Sequence, residues 1–282
     1  MLSYQHGYHA GNAADIHKHI TLILTTQYML KKPAPIHFFD THAGKGLYDL
    51  SHEQALKKQE FKEGLARALA HRACLTSDAW QHFFHVLEVC PPNHYPGSPL
   101  WVSSLKRKTD RHTVFELHPG EHSVLASQGG LEAQQPFADL GRVVYGDGLA
   151  GLVRALPPKT PRLFVLIDPA YERLEEYDDV ADTVVAALAK CRHAVILIWY
   201  PLLTAAKHTE LLKRMALLEQ PVLQSEWQYK EKPEGWGMYG SGMLIINPPW
   251  VLEEQLQESF APFAEQLRNV DNAAIGHTLK RL

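Results

Sequence analysis

Short apolar runs rich in Val, Ile and Phe alternate along the chain with longer amphipathic stretches. That alternation predicts a mostly parallel sheet covered by helices on both faces. The apolar runs place strands at 36–40 (IHFFD), 113–117 (TVFEL), 142–145 (RVVY), 163–167 (LFVLI) and 194–200 (AVILIWY), with two more near 222–229 and 241–246. No helix-length segment separates the last two, which flank Pro233-Glu-Gly-Trp-Gly237, so they predict an antiparallel hairpin. Helical periodicity fills 13–30, 99–108, 120–128, 178–191, 203–218 and 251–268. Ser98-Pro99 reads as a helix start, with Ser as N-cap and Pro at the first helical position. The expectation is an α/β architecture: a mostly parallel seven-stranded sheet with an antiparallel last strand.

One spacing breaks the regular pattern. In a nucleoside-binding α/β unit the acid that closes on the ribose follows the glycine loop by ~20 residues. Here the next strand-end acid is Glu116, about 70 residues after Gly46. The stretch from Ser51 to Asn93 can hold most of the surplus. Phe61, Leu65, Ala68 and Leu69 share one helical face, as do Trp80, Phe83, Phe84 and Leu87. The expectation is one domain over 1–282 with a helical subdomain, 51–93, inserted within it.

The strand ends carry the chemistry. Asp40-Thr-His-Ala-Gly-Lys-Gly46 follows the first strand, and Gly44 and Gly46 let the backbone turn tightly and approach a ligand. The loop lacks the Gly-x-x-x-x-Gly-Lys-Ser/Thr pattern of a triphosphate loop, and Asp49 stands where a dinucleotide fingerprint has its third glycine. A ligand without pyrophosphate, such as S-adenosylmethionine, remains, as does a generic strand–turn–helix glycine pair. Glu116 could accept from both ribose hydroxyls, and Asp147, followed by Gly148, could accept from an adenine amino group. Solvated turn acids are the plain alternative for each.

Asp168-Pro169-Ala170-Tyr171 is the most specific signal. An adenine N6 lone pair is delocalised into its ring and is a poor nucleophile. The Asp168 carboxylate and the Pro169 carbonyl could grip both amino hydrogens, and Asp168 could stabilise the charge that forms on nitrogen and take its proton. Tyr171 would offer a stacking face to a base drawn out of its helix. The alternative is an Asp-Pro turn closing a core strand. Asn247-Pro-Pro-Trp250 matches such a motif even better, but too few residues follow it for the strands the motif should precede, so it reads as a turn ending the last strand.

Other features narrow the picture less. Asp15, Lys18 and His19 share one side of the first helix, in a polar N-terminal segment that reads either as a hydrated arm or as part of a site. His17-x-His19 and His82-x-x-His85 lack a carboxylate or cysteine to complete a set, so no metal is expected. A formal charge of −3 among 282 residues excludes a polycationic footprint, leaving local basic groups such as Lys106-Arg107-Lys108 with Arg111, or Lys57-Lys58, to meet a phosphate backbone. Cys74, Cys90 and Cys191 are too few and too scattered for a disulfide framework. With no signal-peptide pattern and no apolar run near the ~20 residues of a membrane span, a cytoplasmic protein without a membrane partner is expected.

Taken together the motifs resemble the bacterial RlmJ family of 23S ribosomal RNA adenine-N6 methyltransferases, nearly end to end. The likeness rests on Met1-Leu-Ser-Tyr4, Tyr8-His-Ala-Gly-Asn12, Lys18-His19, Asp40-Thr-His-Ala-Gly44, Tyr95-Pro-Gly-Ser-Pro99, Glu116-Leu-His-Pro119, Asp147-Gly148, Ile167-Asp-Pro169, Trp199-Tyr-Pro201, Ser241-Gly-Met243 and Asn247-Pro-Pro-Trp250. It implies the Rossmann-like class I S-adenosylmethionine-dependent methyltransferase fold with a helical insertion. It also implies S-adenosyl-L-methionine as cofactor, held by His19, His42, Ser98, Glu116, Asp147, Gly148 and Asp168, with Asp168 as catalytic acceptor. Tyr4, His6 and Lys18 become substrate-binding residues, and the implied partner is 23S rRNA before full ribosome assembly, met by a monomer. The family carries a second proline where this chain has Ala170, so a less restricted base pocket is expected. DNA adenine or a glutamine amide as substrate, a non-catalytic RNA-binding protein, and a nicotinamide dehydrogenase stay open as rivals.

Overall fold

The computed structural model describes residues 4–128, 139–267 and 275–282. Residues 1–3, which open the resemblance above, lie outside these. The first helix, α1 (Ala13–Leu30), is started by Asn12, whose side chain accepts from the Asp15 amide at 2.9 Å. The chain then runs β1 (Ile36–Asp40), β2 (Leu47–Asp49), α2 (Glu53–Lys58), α3 (Leu65–Ala70), α4 (Asp78–Val89), β3 (His94–Pro96) and α5 (Ser98–Leu105). Next come β4 (Arg111–Glu116), α6 (Pro119–Ser127), β5 (Arg142–Tyr145), α7 (Gly148–Ala155), β6 (Arg162–Ile167), α8 (Glu175–Lys190) and β7 (Val195–Leu203). The last elements are α9 (Thr209–Met215), β8 (Val222–Gln228), β9 (Met238–Ile246), α10 (Leu252–Leu267) and β10 (Gly276–Arg281).

The main sheet has the order β10-β8-β9-β7-β6-β1-β4-β5, parallel from β5 to β7 and antiparallel beyond. Alternation along each strand divides the core. Phe38, Phe164, Leu166 and Leu197 face α1, α4, α5 and α10, whereas Phe39, Val165, Ile167, Ile196 and Ile198 face α7, α8 and α9. β2 and β3 form a separate antiparallel ribbon, and α2, α3 and α4 lie between its strands. No helix among the described residues is long and apolar enough to cross a membrane.

The mostly parallel sheet and the closing hairpin are present, with differences in detail. The sheet has eight strands, because β10 adds antiparallel to β8. Gly276-His-Thr-Leu-Lys-Arg281 is a polar edge strand held by backbone pairing, so it carries no apolar run to announce it. Asn247-Pro-Pro-Trp250 therefore leads into α10 and a further strand rather than ending the last one. Ser98 is the first helical residue of α5, with Gly97 as its N-cap. Helix α9 is only Thr209–Met215, because β7 continues to Leu203.

Candidate active site

The carboxyl ends of β1, β4 and β6 open on a cavity of about 320 Å³, in the range of small-molecule sites. The loop after β1 brings His42 and Gly44 to its wall, β4 brings Glu116, and the loop after β6 brings Asp168, Pro169, Ala170 and Tyr171. Gly44 has φ +62°, and a Cβ there would meet the Tyr48 hydroxyl at 2.1 Å, so this turn needs glycine. The Glu116 carboxylate accepts from the Gly44 amide at 2.8 Å and the His118 amide at 2.6 Å. A carboxylate has about four acceptor sites, so two amides do not exhaust it. Burial raises the Glu116 pKa, and the two amides pull against that rise.

The first helix enters the same cavity from the other side. Nearly all of α1 is buried, charged residues included, so these side chains must find partners within the fold. Lys18 Nζ lies 2.5 Å from Asp168 Oδ2 and 2.8 Å from Asp15 Oδ1. Asp15 Oδ2 meets His6 Nε2 at 2.9 Å and accepts from the Gly11 amide at 2.8 Å, and His6 Nδ1 meets the Tyr4 hydroxyl at 2.8 Å. Tyr4, His6, Asp15, Lys18 and Asp168 thus form one continuous string. Burial alone would lower the Lys18 pKa, but Asp15 and Asp168 outweigh it and hold it above the ordinary lysine range. Burial would likewise raise Asp15, but His6 and Lys18 keep it well below the usual carboxylate value.

His19 and Ser98 complete this wall. His19 Nδ1 is 2.7 Å from the Tyr95 hydroxyl, while its Nε2 is buried without a hydrogen-bond partner among the described residues. Burial pushes the His42 pKa down to about 4 although Asp168 and Asp147 pull it up, so that ring is neutral near pH 7. Tyr171 offers less ring than its position in the motif suggests. It is 7% exposed, stacks on Tyr177 at 4.2 Å, and donates its hydroxyl to the Trp199 carbonyl at 2.8 Å.

Three expected cofactor residues stand outside the cavity wall. Gly46 has φ +83°, and its carbonyl accepts from the Gly97 amide at 2.6 Å, joining the glycine loop to the start of α5. Asp147 is exposed and caps α7, accepting from the Ala150 amide at 3.1 Å. Gly148 packs so close to the Thr41 carbonyl that a Cβ would lie 2.0 Å from it.

Two acids at or beside the site have no role assigned from the sequence, although Asp40 opens the glycine-loop motif. Asp40, at the end of β1, is 1% exposed, and burial raises its pKa to about 7 against the opposing effects of Ser98 and the His42 amide. A charged residue ending an apolar run just before a glycine loop was the available clue. Asp15 shares a helix face with Lys18, but its central place in the string appears only in three dimensions. Among the described residues no group of three or more His, Cys, Asp or Glu side chains is placed to hold a metal ion.

Comparison with known proteins places this arrangement. Residues 33–277 match the family model described as Ribosomal RNA large subunit methyltransferase D, RlmJ. Ribosomal RNA large subunit methyltransferase J of Haemophilus influenzae is 34% identical over 265 residues, covering 92% of this chain and 91% of its own. The protein of the same name from Escherichia coli K12 is 33% identical over 262 residues, covering 91% and 90%. A crystal structure of a Legionella pneumophila protein superposes with a TM-score of 0.83 at 29% identity, covering 97% of this chain and 98% of that one. The chain belongs to the RlmJ family, the ribosomal RNA large subunit methyltransferases.

Proposed function

We propose that the protein transfers a methyl group from S-adenosylmethionine to N6 of an adenine in 23S ribosomal RNA, met before ribosomal proteins cover it. The observation that carries this reading is the shared cavity. The Asp168-Pro169 end of β6 faces the same space as Gly44 and Glu116, the groups suited to a nucleoside cofactor. The fit is physical: Glu116 retains acceptor capacity for ribose hydroxyls, and His19 Nε2, which has no hydrogen-bond partner among the described residues, waits on a polar group. His42 and Ser98 complete the cofactor side. When bound, the cofactor supplies an electrophilic methyl group on a sulfonium sulfur.

The chain's own residues then act on the amino nitrogen. Asp168 and the Pro169 carbonyl accept its two hydrogens and draw the lone pair out of the ring. Lys18 holds one Asp168 oxygen and is held in turn by Asp15, so the acceptor is aimed before substrate arrives. The Asp168 carboxylate opposes the positive charge that develops on nitrogen and receives its proton. Tyr4 and His6, at the far end of the string, are the residues this reading assigns to substrate. A recessed nitrogen acceptor site requires the base to leave its stack, which protein-free RNA permits.

Tritium transfer to protein-free 23S rRNA, with mass mapping of the modified nucleoside, tests this. Wild type should yield N6-methyladenine, while Asp168→Ala should lose turnover and keep the wild-type circular dichroism spectrum. Product from Asp168→Ala at near wild-type rates would refute the role of the carboxylate. Labelling of DNA or protein in place of rRNA would refute the substrate.

A further inference from the structure

A tryptophan indole can donate a hydrogen bond but not accept one, and this orders a string of buried side chains behind the cavity. Trp199 Nε1 lies 2.9 Å from Ser241 Oγ, which lies 3.0 Å from His17 Nδ1. His17 Nε2 lies 2.9 Å from Ser225 Oγ, which lies 2.7 Å from His277 Nε2. The string joins β7, β9, α1, β8 and β10, and Ser241, His17 and Ser225 are fully buried. Burial holds His17 well below the ordinary histidine pKa and brings His277 to about 4, so both rings are neutral at pH 7.

Three senses of donation are open to neutral rings, the last of which points both His17 and His277 at Ser225 and strands the Ser225 proton with the His277 Nδ1 lone pair. In the first, Trp199 donates to Ser241, Ser241 to His17 Nδ1, His17 Nε2–H to Ser225, and Ser225 to His277 Nε2. The single polar atom left over is His277 Nδ1, which has no partner among the described residues. In the reverse sense Ser241 would accept from both neighbours, stranding its own proton as well as the His277 Nδ1 lone pair. An unmade buried hydrogen bond is costly, so the first sense prevails.

The string ends on a residue that lines the cavity. Trp199 is half-buried and lines it, as do the apolar residues Pro201, Leu203 and Met238 from the same sheet region. Its backbone carbonyl is fastened by the Tyr171 hydroxyl and its indole nitrogen by Ser241. Tyr171 itself has one face against Tyr177 and is nearly buried. We propose that Trp199 is the ring against which the substrate base packs, and that Ser241, His17, Ser225 and His277 are positioning residues that set its indole plane. This rests on the adenine reading of the cavity. The C-terminal strand thereby belongs to the base pocket as well as to the sheet edge.

Two measurements test it. Long-range nitrogen–proton NMR of the wild type at pH 7 should show His17 protonated on Nε2 and His277 on Nδ1; a proton on His17 Nδ1 would overturn the string. In steady-state kinetics on 23S rRNA transcript, Trp199→Ala should raise KM for RNA about tenfold, as loss of a stacked ring does, with S-adenosylmethionine affinity by calorimetry within about twofold of wild type. Trp199→Phe, which keeps a ring without the donor, and Ser241→Ala should fall between. An RNA KM within about twofold of wild type for Trp199→Ala would overturn the packing role. If wild type binds the transcript but transfers no methyl group, the reaction assignment fails. The wall is then judged by the same comparison made on the RNA Kd.

Discussion

Burial opposes the charge of both Lys18 and Asp40, with opposite outcomes. Lys18 is buried between two carboxylates, so Lys18→Met leaves Asp15 in the interior with His6 as its remaining ionic partner among the described residues. Breaking a buried pair from one side costs roughly 3–5 kcal/mol. Urea denaturation of Lys18→Met should show a loss of that order, and methyl transfer should fall as well because Asp168 is no longer aimed; an unchanged midpoint would contradict the pairing. Asp40 behaves in the opposite way. Its folded pKa of about 7 stands above the ordinary 3.8, chiefly through burial, with Asp168 adding to the rise. Between those values the folded chain binds the extra proton, so stability falls as pH rises from 3.8 to about 7. Asp40→Asn should therefore stabilise the protein at pH 8, by on the order of 2–4 kcal/mol, and change little at pH 4. Equal shifts at both pH values in thermal melts would refute this.

Among the elements, the first helix and the segment before it depend on the helices between β2 and β3. Glu60 Oε2 meets His9 Nδ1 at 2.9 Å and accepts from the Asn12 side chain at 3.1 Å. His9 in turn stacks on Tyr4 with ring centroids 5.6 Å apart and planes 6° from parallel. The Leu65 amide donates to the Gly11 carbonyl at 2.8 Å, and a Cβ on Gly64 would lie 2.3 Å from the same oxygen. The inserted helices therefore serve as a seat for the N-terminal segment that carries Tyr4 and His6. Glu60→Ala should raise KM for RNA about fivefold, the equivalent of one lost hydrogen bond, with little change in melting temperature. An unaltered KM would separate the insertion from the site.

For the whole molecule, the sheet order decides what the edges do. β5 closes one side, and β10 covers β8 on the other. Deleting residues 275–282 would bare the β8 edge, whose unpaired backbone groups invite pairing with another chain. Such a truncation should aggregate on warming and melt earlier than the full chain by light scattering and calorimetry; monomeric behaviour at an unchanged melting temperature would show that β10 is dispensable. With a net charge of −3, any RNA contact must be local, in keeping with a substrate recognised mainly through one recessed base.

Strand-length apolar runs, the glycine loop before Gly46 and the Asp168-Pro169 strand end were legible from residue order because each is a local signal: alternation, a positive-φ turn, an acid where a strand stops. The hairpin of β8 and β9 was legible for the same reason, since no helix fits between its strands. The partners of those residues were not. Lys18 and Asp168 stand 150 positions apart, and His17 and Ser241 stand 224 apart, so no period or spacing relates them. Packing α1 across the sheet brings both pairs together. Burial then did what composition cannot: it turned ordinary polar side chains into paired ones and raised the Asp40 pKa to about 7.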